Sequence, residues 1–186
     1  MAEAERIWTE KRAGKAERQT VYERLDYSRE LSHQSLRTRF LALYNAAGTN
    51  ISAASVDSAD LPELFVVDHM TYWARCRSRE EADYLAAILN APATNAAIKP
   101  FQSMGLLGQR HVHKKVLELP IPFFDSGKAA HSKLARLGAE ARAEAARVVG
   151  RGNLPLSLAR RRALIREATR AIVERIDESV RVLLGL

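Results

Sequence analysis

Cysteine and aromatic residues are scarce in this sequence, and long apolar runs are missing. The single cysteine, Cys76, excludes a disulfide framework and is typical of a reducing compartment, so we expect a cytoplasmic protein. Aromatic residues make up 6% of the chain, too few for an aromatic-rich β-sandwich. No apolar run approaches the roughly 20 residues of a membrane span, and the mixed-charge start of the chain does not look like a signal peptide. We therefore expect no membrane partner.

The motifs of common catalytic and cofactor sites are also missing. The sequence contains no GxGxxG, GxxxxGKS/T, GxSxG or HExxH pattern. Arginines flank Cys76 and would favour a reactive thiol, but a lone cysteine on a strand more often fills a core. No set of residues combines a nucleophile, a base and an oxyanion donor. We therefore expect no catalytic residue and no bound cofactor, and interpret the chain as a binding module.

The sequence does carry an excess of positive charge, and this excess lies in its second half. The 186 residues include 29 Lys and Arg against 22 Asp and Glu, a net charge of +7. All of the excess follows residue 90, with clusters at Arg110-His111-Val112-His113-Lys114-Lys115 and Arg160-Arg161-Arg162. This distribution suits a polyanionic partner, nucleic acid first. For the arginine run, a solvated helix face is the preferred interpretation.

Turn residues and periodicity predict a small sheet near the start of the chain. Residues 2–24 are expected to form a helix that Gly14 interrupts. The apolar run 39–44 and the β-compatible run 51–56 flank the turn residues Gly48-Thr49-Asn50, which predicts a hairpin. Residues 64–67 and the alternating stretch 70–77 predict further strands.

The rest of the chain is expected to be mostly helical. Ser78 with Glu81 forms a capping-box pattern that begins one helix, and a second runs from about 93 to 101. Two amphipathic helices follow, at 129–149 and from Pro155 onward. We therefore predict an α+β fold: a small mixed sheet and hairpin unit with two packed helices, followed by a C-terminal helical hairpin. Residues 1–125 would form the α/β unit, and 126–186 a helical segment packed on it.

The strongest candidate binding site is residues 102–115, which we call the basic segment. Its glycines let the backbone approach a ligand closely. Lys114 and Lys115 suit phosphate groups. The side chains able to hydrogen-bond to base edges are Gln102, Ser103, Gln109, Arg110, His111 and His113.

A metal site on His111 and His113 is the weaker interpretation of the same segment. The two imidazoles share a face of an extended chain, but a third ligand would have to come from His33, His69, His131 or a distant acid. The two lysines that follow disfavour a bound cation. We therefore expect no metal.

Five short stretches of the sequence follow one another in a recognisable order. They are 25–31 (LDYSREL), 67–73 (VDHMTYW), 84–92 (YLAAILNAP), 108–114 (GQRHVHK) and 117–122 (LELPIP). A YLxAILNSP helix, a G-x-R-x-x-x-K loop and an LPIP strand in this order resemble the C-terminal target-recognition region of adenine-N6 DNA methyltransferases, the class with a TaqI-like specificity domain. The resemblance covers roughly residues 25–150.

The resemblance implies a DNA-binding specificity module without its catalytic half. In that family a Gly-rich turn holds S-adenosylmethionine and an (N/D)PP(Y/F) motif holds the target adenine; this sequence contains neither. S-adenosylmethionine is therefore expected on a separate catalytic domain, supplied in cis or in trans. The partner implied is double-stranded DNA, and the setting implied is a restriction–modification system.

The resemblance and the residue chemistry together suggest roles for individual side chains. The positions that match the family's loop are Gly108, Arg110, His111, His113 and Lys114, with Gln109, Arg110 and His111 expected to contact bases. Lys114 and Lys115, together with Arg37 and Arg39, would position phosphates. Asn45, Thr49 and Asn50 of the hairpin turn would add a second contact.

Two further functions are compatible with the sequence. A specificity subunit of a multi-subunit restriction enzyme also pairs a recognition domain with long helices and carries similar ILNS and LPIP segments. A helical interaction protein that does not bind DNA would use its basic residues only for solvation. Failure to bind DNA at low salt would favour the second.

Overall fold

Three antiparallel strands form the central sheet. The computed structural model describes residues 2–102, 104–105, 108–109, 112, 116, 118–150, 152, 154–155 and 157–186. In it β1 (Phe40–Asn45) lies between β2 (Ala53–Asp57) and β3 (Thr71–Cys76). The register pairs Leu43 with Ala54 on one side and with Trp73 on the other. The predicted hairpin and the strand at 70–77 are confirmed, whereas the sheet, expected to be mixed, is antiparallel throughout its described strands.

The predicted strand at 64–67 is wrong, because a side chain takes the place of a neighbouring strand there. Residues 64–67 form no strand and join no described sheet. The Gln34 amide donates to the Val67 carbonyl at 2.6 Å and accepts from the Val67 N–H at 2.8 Å. The hydrogen bonds that a strand would supply therefore come from one glutamine.

The N-terminal region contains two helices where the sequence predicted one over 2–24. Helix α1 (Ala2–Lys11) ends before Gly14, which has φ of 60°, and α2 (Val21–Leu25) begins after Thr20. Thr20 and Glu23 form a capping box, which specifies a new helix start at this point. The break expected at Gly14 thus separates two helices instead of bending one.

Helix α3 (Arg79–Asn90) covers one face of the sheet and begins where the sequence predicted. The Ser78 hydroxyl accepts from the Glu81 N–H at 3.2 Å. Helix α4 (Pro92–Ile98) follows directly and continues as a 3₁₀ turn to Phe101. The methyl side chain of its N-cap residue, Ala91, cannot accept a hydrogen bond from the first N–H groups of the helix. The carboxylate of Asp177, from the last helix, accepts from Ala93 N–H at 2.5 Å instead.

Two long helices, α5 (Ala129–Val149) and α6 (Leu158–Leu184), form the C-terminal hairpin. Helix α5 packs against both α3 and α6. The approach to α3 is close at Gly138, where an added Cβ would lie 2.8 Å from the carbonyl carbon of Asp83. The α+β class and the C-terminal helical hairpin are therefore confirmed.

The core contains residues from both of the predicted units, 1–125 and 126–186. One cluster combines residues of α3, α5 and α6, including Tyr84, Leu134 and Ile176. A second cluster lies under the β1–β2 turn and includes Tyr44, Ile51 and Ile98. Among the helices that the structure describes, none is long and apolar enough to cross a membrane.

Candidate nucleic-acid interface

The turn between β1 and β2 (residues 46–52, the β1–β2 turn) is closed by the side chain of Asn45. Its Nδ2 donates to the carbonyls of Ala47, at 2.8 Å, and Asn50, at 3.1 Å, and its Oδ1 accepts from Ser52 N–H at 2.7 Å. Three hydrogen bonds therefore hold the loop in one shape. Asn45, predicted as a DNA contact, is placed where it orders the turn.

The tip of this turn presents polar side chains to solvent. Thr49 and Asn50 are exposed, as a contact with DNA requires. Gly48 has φ of 148°, and a Cβ there would lie 2.7 Å from Nδ2 of Asn45. Glycine is therefore needed for the closure by Asn45 that displays the tip.

The basic segment is attached to this turn through its backbone. Val112 donates its N–H to the carbonyl of Ala46 at 3.1 Å, and Ala46 donates its own N–H to Met70 at 3.0 Å. Val112 and Val116 are buried in the same cluster as Tyr44. Val112, a residue of the most basic stretch of the sequence, is thus hydrogen-bonded to the β1–β2 turn at Ala46. The predicted contact residues Ser103, Arg110, His111, His113, Lys114 and Lys115 lie outside the described residues.

Part of the basic segment forms a short β-ribbon. The strands β4 (Met104–Gly105) and β5 (Gly108–Gln109) pair antiparallel, with Met104 opposite Gln109 and Gly105 opposite Gly108. The sequence predicted a flexible loop here. A two-stranded ribbon is one of the two elements that the major groove of B-DNA admits. Gln109, predicted to contact a base, lies in the second strand of the ribbon.

Gln102, also predicted to contact a base, is buried. It is 6% exposed, and within the described residues neither atom of its side-chain amide has a hydrogen-bond partner. An unpaired buried amide costs about 1–3 kcal/mol. In this conformation Gln102 is not accessible to a base.

Two asparagines that sequence reasoning missed support the interface from beneath. Asn90 donates to the Ala53 carbonyl at 2.9 Å and accepts from the Ala53 N–H at 3.0 Å. Asn95 accepts from Ile51 N–H at 2.6 Å. They connect α3 and α4 to the end of the β1–β2 turn. Asn90 lies in the stretch 84–92 that resembles the YLxAILNSP helix, whereas Asn95 had no signal beyond its polarity.

Arg37 and Arg39 lie at the opposite end of the sheet from the turn. Both precede β1, whose six residues span roughly 20 Å. Arg37 is exposed, and Arg39 forms an ion pair with the buried Asp57, from Nε to Oδ1, at 3.2 Å. Burial favours a higher pKa for Asp57, but hydrogen bonds from Arg79, the Ala59 N–H and Arg39 outweigh it and lower the pKa to about 2. Two predicted phosphate contacts are thus separate from the turn.

Burial favours the neutral form of two side chains of the sheet, Cys76 and Tyr44. Burial, and to a lesser extent the charge of Glu81, raises the pKa of the Cys76 thiol to about 11, so the flanking arginines do not make it reactive. Burial beside Tyr72 raises the pKa of Tyr44 to about 12. Within the described part of the chain, no three His, Cys, Asp or Glu residues are grouped as metal ligands are.

Scans of protein-family models, of curated proteins and of solved structures each found no match to the chain.

Proposed function

We propose that this chain is the DNA target-recognition module of an S-adenosylmethionine-dependent adenine-N6 DNA methyltransferase, working with a catalytic domain in cis or in trans. The observation that supports DNA binding best is the hydrogen bond from Val112 to Ala46. It joins the most basic segment of the sequence to a turn whose polar tip is exposed. In this proposal the cations of that segment contact phosphates, and the amide and hydroxyl groups of the turn contact base edges.

The proposed roles follow from the chemistry of each side chain. Lys114 and Lys115 contact phosphates and give affinity without sequence preference. The guanidinium of Arg110 donates two hydrogen bonds to the edge of a guanine. Gln109, the residue before it in the sequence, lies in β5 and contacts a base. Thr49 and Asn50 add contacts from the turn. The assignment to an adenine methyltransferase depends on the family resemblance alone.

DNA binding is tested by fluorescence anisotropy with labelled random-sequence duplexes over a range of salt concentrations. Affinity should fall with salt, and Lys115→Gln should reduce the slope of log K against log salt by about 0.9. The matched control is Arg162→Gln, an exposed α6 position from the run interpreted as solvated. Absence of binding at low salt, or equal effects of the two variants, contradicts the proposal.

Sequence recognition is tested by selecting bound duplexes from a random pool. Arg110→Ala should relax the selected sequence at one position, equivalent to about 1–3 kcal/mol of lost discrimination, whereas Lys115→Gln should leave the selected sequence unchanged. The methyltransferase assignment is tested separately, by reading the adjoining coding sequence for an (N/D)PP(Y/F) motif. If neither a neighbouring nor a fused reading frame contains this motif, the methyltransferase assignment fails and only the proposal of DNA binding stands.

A further inference from the structure

The segment before α5 exposes one aromatic ring almost completely. Phe123 is 92% exposed, while its neighbour Phe124 packs against the core cluster of α3, α5 and α6. The Phe124 ring lies 5.3 Å from that of Tyr84. The chain thus packs Phe124 against the core and leaves the preceding phenylalanine exposed to solvent.

The backbone on both sides of Phe123 is held by three side chains. The Tyr84 hydroxyl donates to the Pro122 carbonyl at 3.0 Å, and Nη2 of Arg77 donates to the Phe124 carbonyl at 3.1 Å. The Asp125 N–H donates to Nδ1 of His131, also at 3.1 Å. A ring displayed on a fixed backbone loses little conformational entropy when it binds a partner. Such rigidity is typical of an anchor for binding.

Unpaired cations follow this ring in the sequence. Lys128, Lys133 and Arg136 are exposed, and none of them forms an ion pair with another described residue. A tight turn joins the Phe123 segment to α5, since Lys128 N–H donates to the Asp125 carbonyl at 3.1 Å. Lysine is depleted in protein–protein interfaces, whereas exposed aromatic rings combined with cations are typical of surfaces that bind single-stranded nucleic acid.

We propose that Phe123 is a second nucleic-acid contact: its ring stacks on an unstacked base while Lys128, Lys133 and Arg136 contact the adjoining phosphates. The inference rests on the proposed function, since it requires that the chain bind DNA. It concerns a surface built from residues 123–128 and the first two turns of α5, and none of its residues belongs to the basic segment or to the β1–β2 turn.

The test compares binding of short labelled duplexes that are fully paired or carry one unpaired base. Phe123→Ala should weaken binding to the second probe roughly 5- to 150-fold, the effect of losing one base–aromatic stack. Phe123→Trp should restore it and Phe123→Leu should not, because stacking requires a flat ring. Val182→Ala, at an α6 position that is 84% exposed, is the matched control and should bind as the wild type does.

The cations are tested in the same assay. Lys133→Gln and Arg136→Gln should each reduce the salt slope by about 0.7 to 0.9. Because these side chains and Phe123 are exposed, all variants should keep the wild-type Tm, which separates a binding effect from unfolding.

The outcomes distinguish this inference from the proposed function. If the wild type binds no DNA, both fail. If the wild type binds but Phe123→Ala binds the probe with the unpaired base as tightly as the wild type does, only this inference is overturned, and Phe123 is then available to a protein partner. Rescue by leucine also overturns it, since that result indicates apolar packing instead of stacking.

Discussion

Replacing Arg142 with methionine tests how the C-terminal helices are held on the sheet. From α5, Arg142 donates through Nε and Nη2 to the two carboxylate oxygens of Asp83 in α3, at 2.9 and 3.1 Å. Ser55 of β2 donates to the same carboxylate. Asp83 is 2% exposed, so Arg142→Met leaves a buried carboxylate with one hydroxyl as its partner.

The structure sets the size of the expected effect. Removing one partner of a fully buried ion pair costs about 3–5 kcal/mol. The side chain of Arg142 is 35% exposed, so water reaches the carboxylate once the guanidinium is gone, and methionine keeps the apolar contacts of the arginine stem. We therefore expect a loss of about 2–3 kcal/mol in the free energy of unfolding, which lowers Tm by roughly 4–12 °C.

Thermal and urea unfolding followed by circular dichroism measure this loss. Arg136→Met, at an exposed position of the same helix, is the control and should change stability by less than about 0.5 kcal/mol. Adding Asp83→Asn to Arg142→Met should recover part of the loss, because an amide is cheaper to bury than a charge. The reasoning is refuted if Arg142→Met is as stable as the control, or if the second substitution makes the protein less stable still.

Three further substitutions test other features of the fold. Gly138→Ala should destabilise the protein by about 1–3 kcal/mol in thermal unfolding, although alanine favours helices, because the new Cβ overlaps the Asp83 backbone; an unchanged Tm would contradict this close packing. The Asp57 carboxylate, whose pKa falls from its ordinary 3.8 to about 2, contributes stability above pH 4 that is lost as the pH drops toward 2. The free energy of unfolding measured across that range should depend less on pH in Asp57→Asn. An unaltered profile would show that groups other than Asp57 cause the loss of stability in acid. Gln102→Met removes an amide with no hydrogen-bond partner among the described residues, so it should raise stability by about 1 kcal/mol; a lower Tm would show that the amide is satisfied.

Local sequence signals predicted those parts of the fold that are set by neighbouring residues. Ser78 and Glu81 marked the start of α3, because a cap needs only the first turn of its own helix. The β1–β2 hairpin and the two C-terminal helices followed from turn residues and apolar periodicity. The helix expected over 2–24 and the strand expected at 64–67 did not form as predicted. A capping box at Thr20 and the side chain of Gln34 supplied competing hydrogen bonds.

For the candidate site, sequence and tertiary structure decided different things. The sequence alone determined where the positive charge is concentrated and that the β1–β2 turn is polar, since both are properties of short stretches. Only the tertiary structure decided that Val112 lies against Ala46 and that Gln102 is buried. These facts depend on contacts between residues far apart in the chain, which follow no periodicity and leave no local signal. Tertiary packing likewise places Phe124 against the core and leaves Phe123 exposed, although the two residues are chemically identical neighbours.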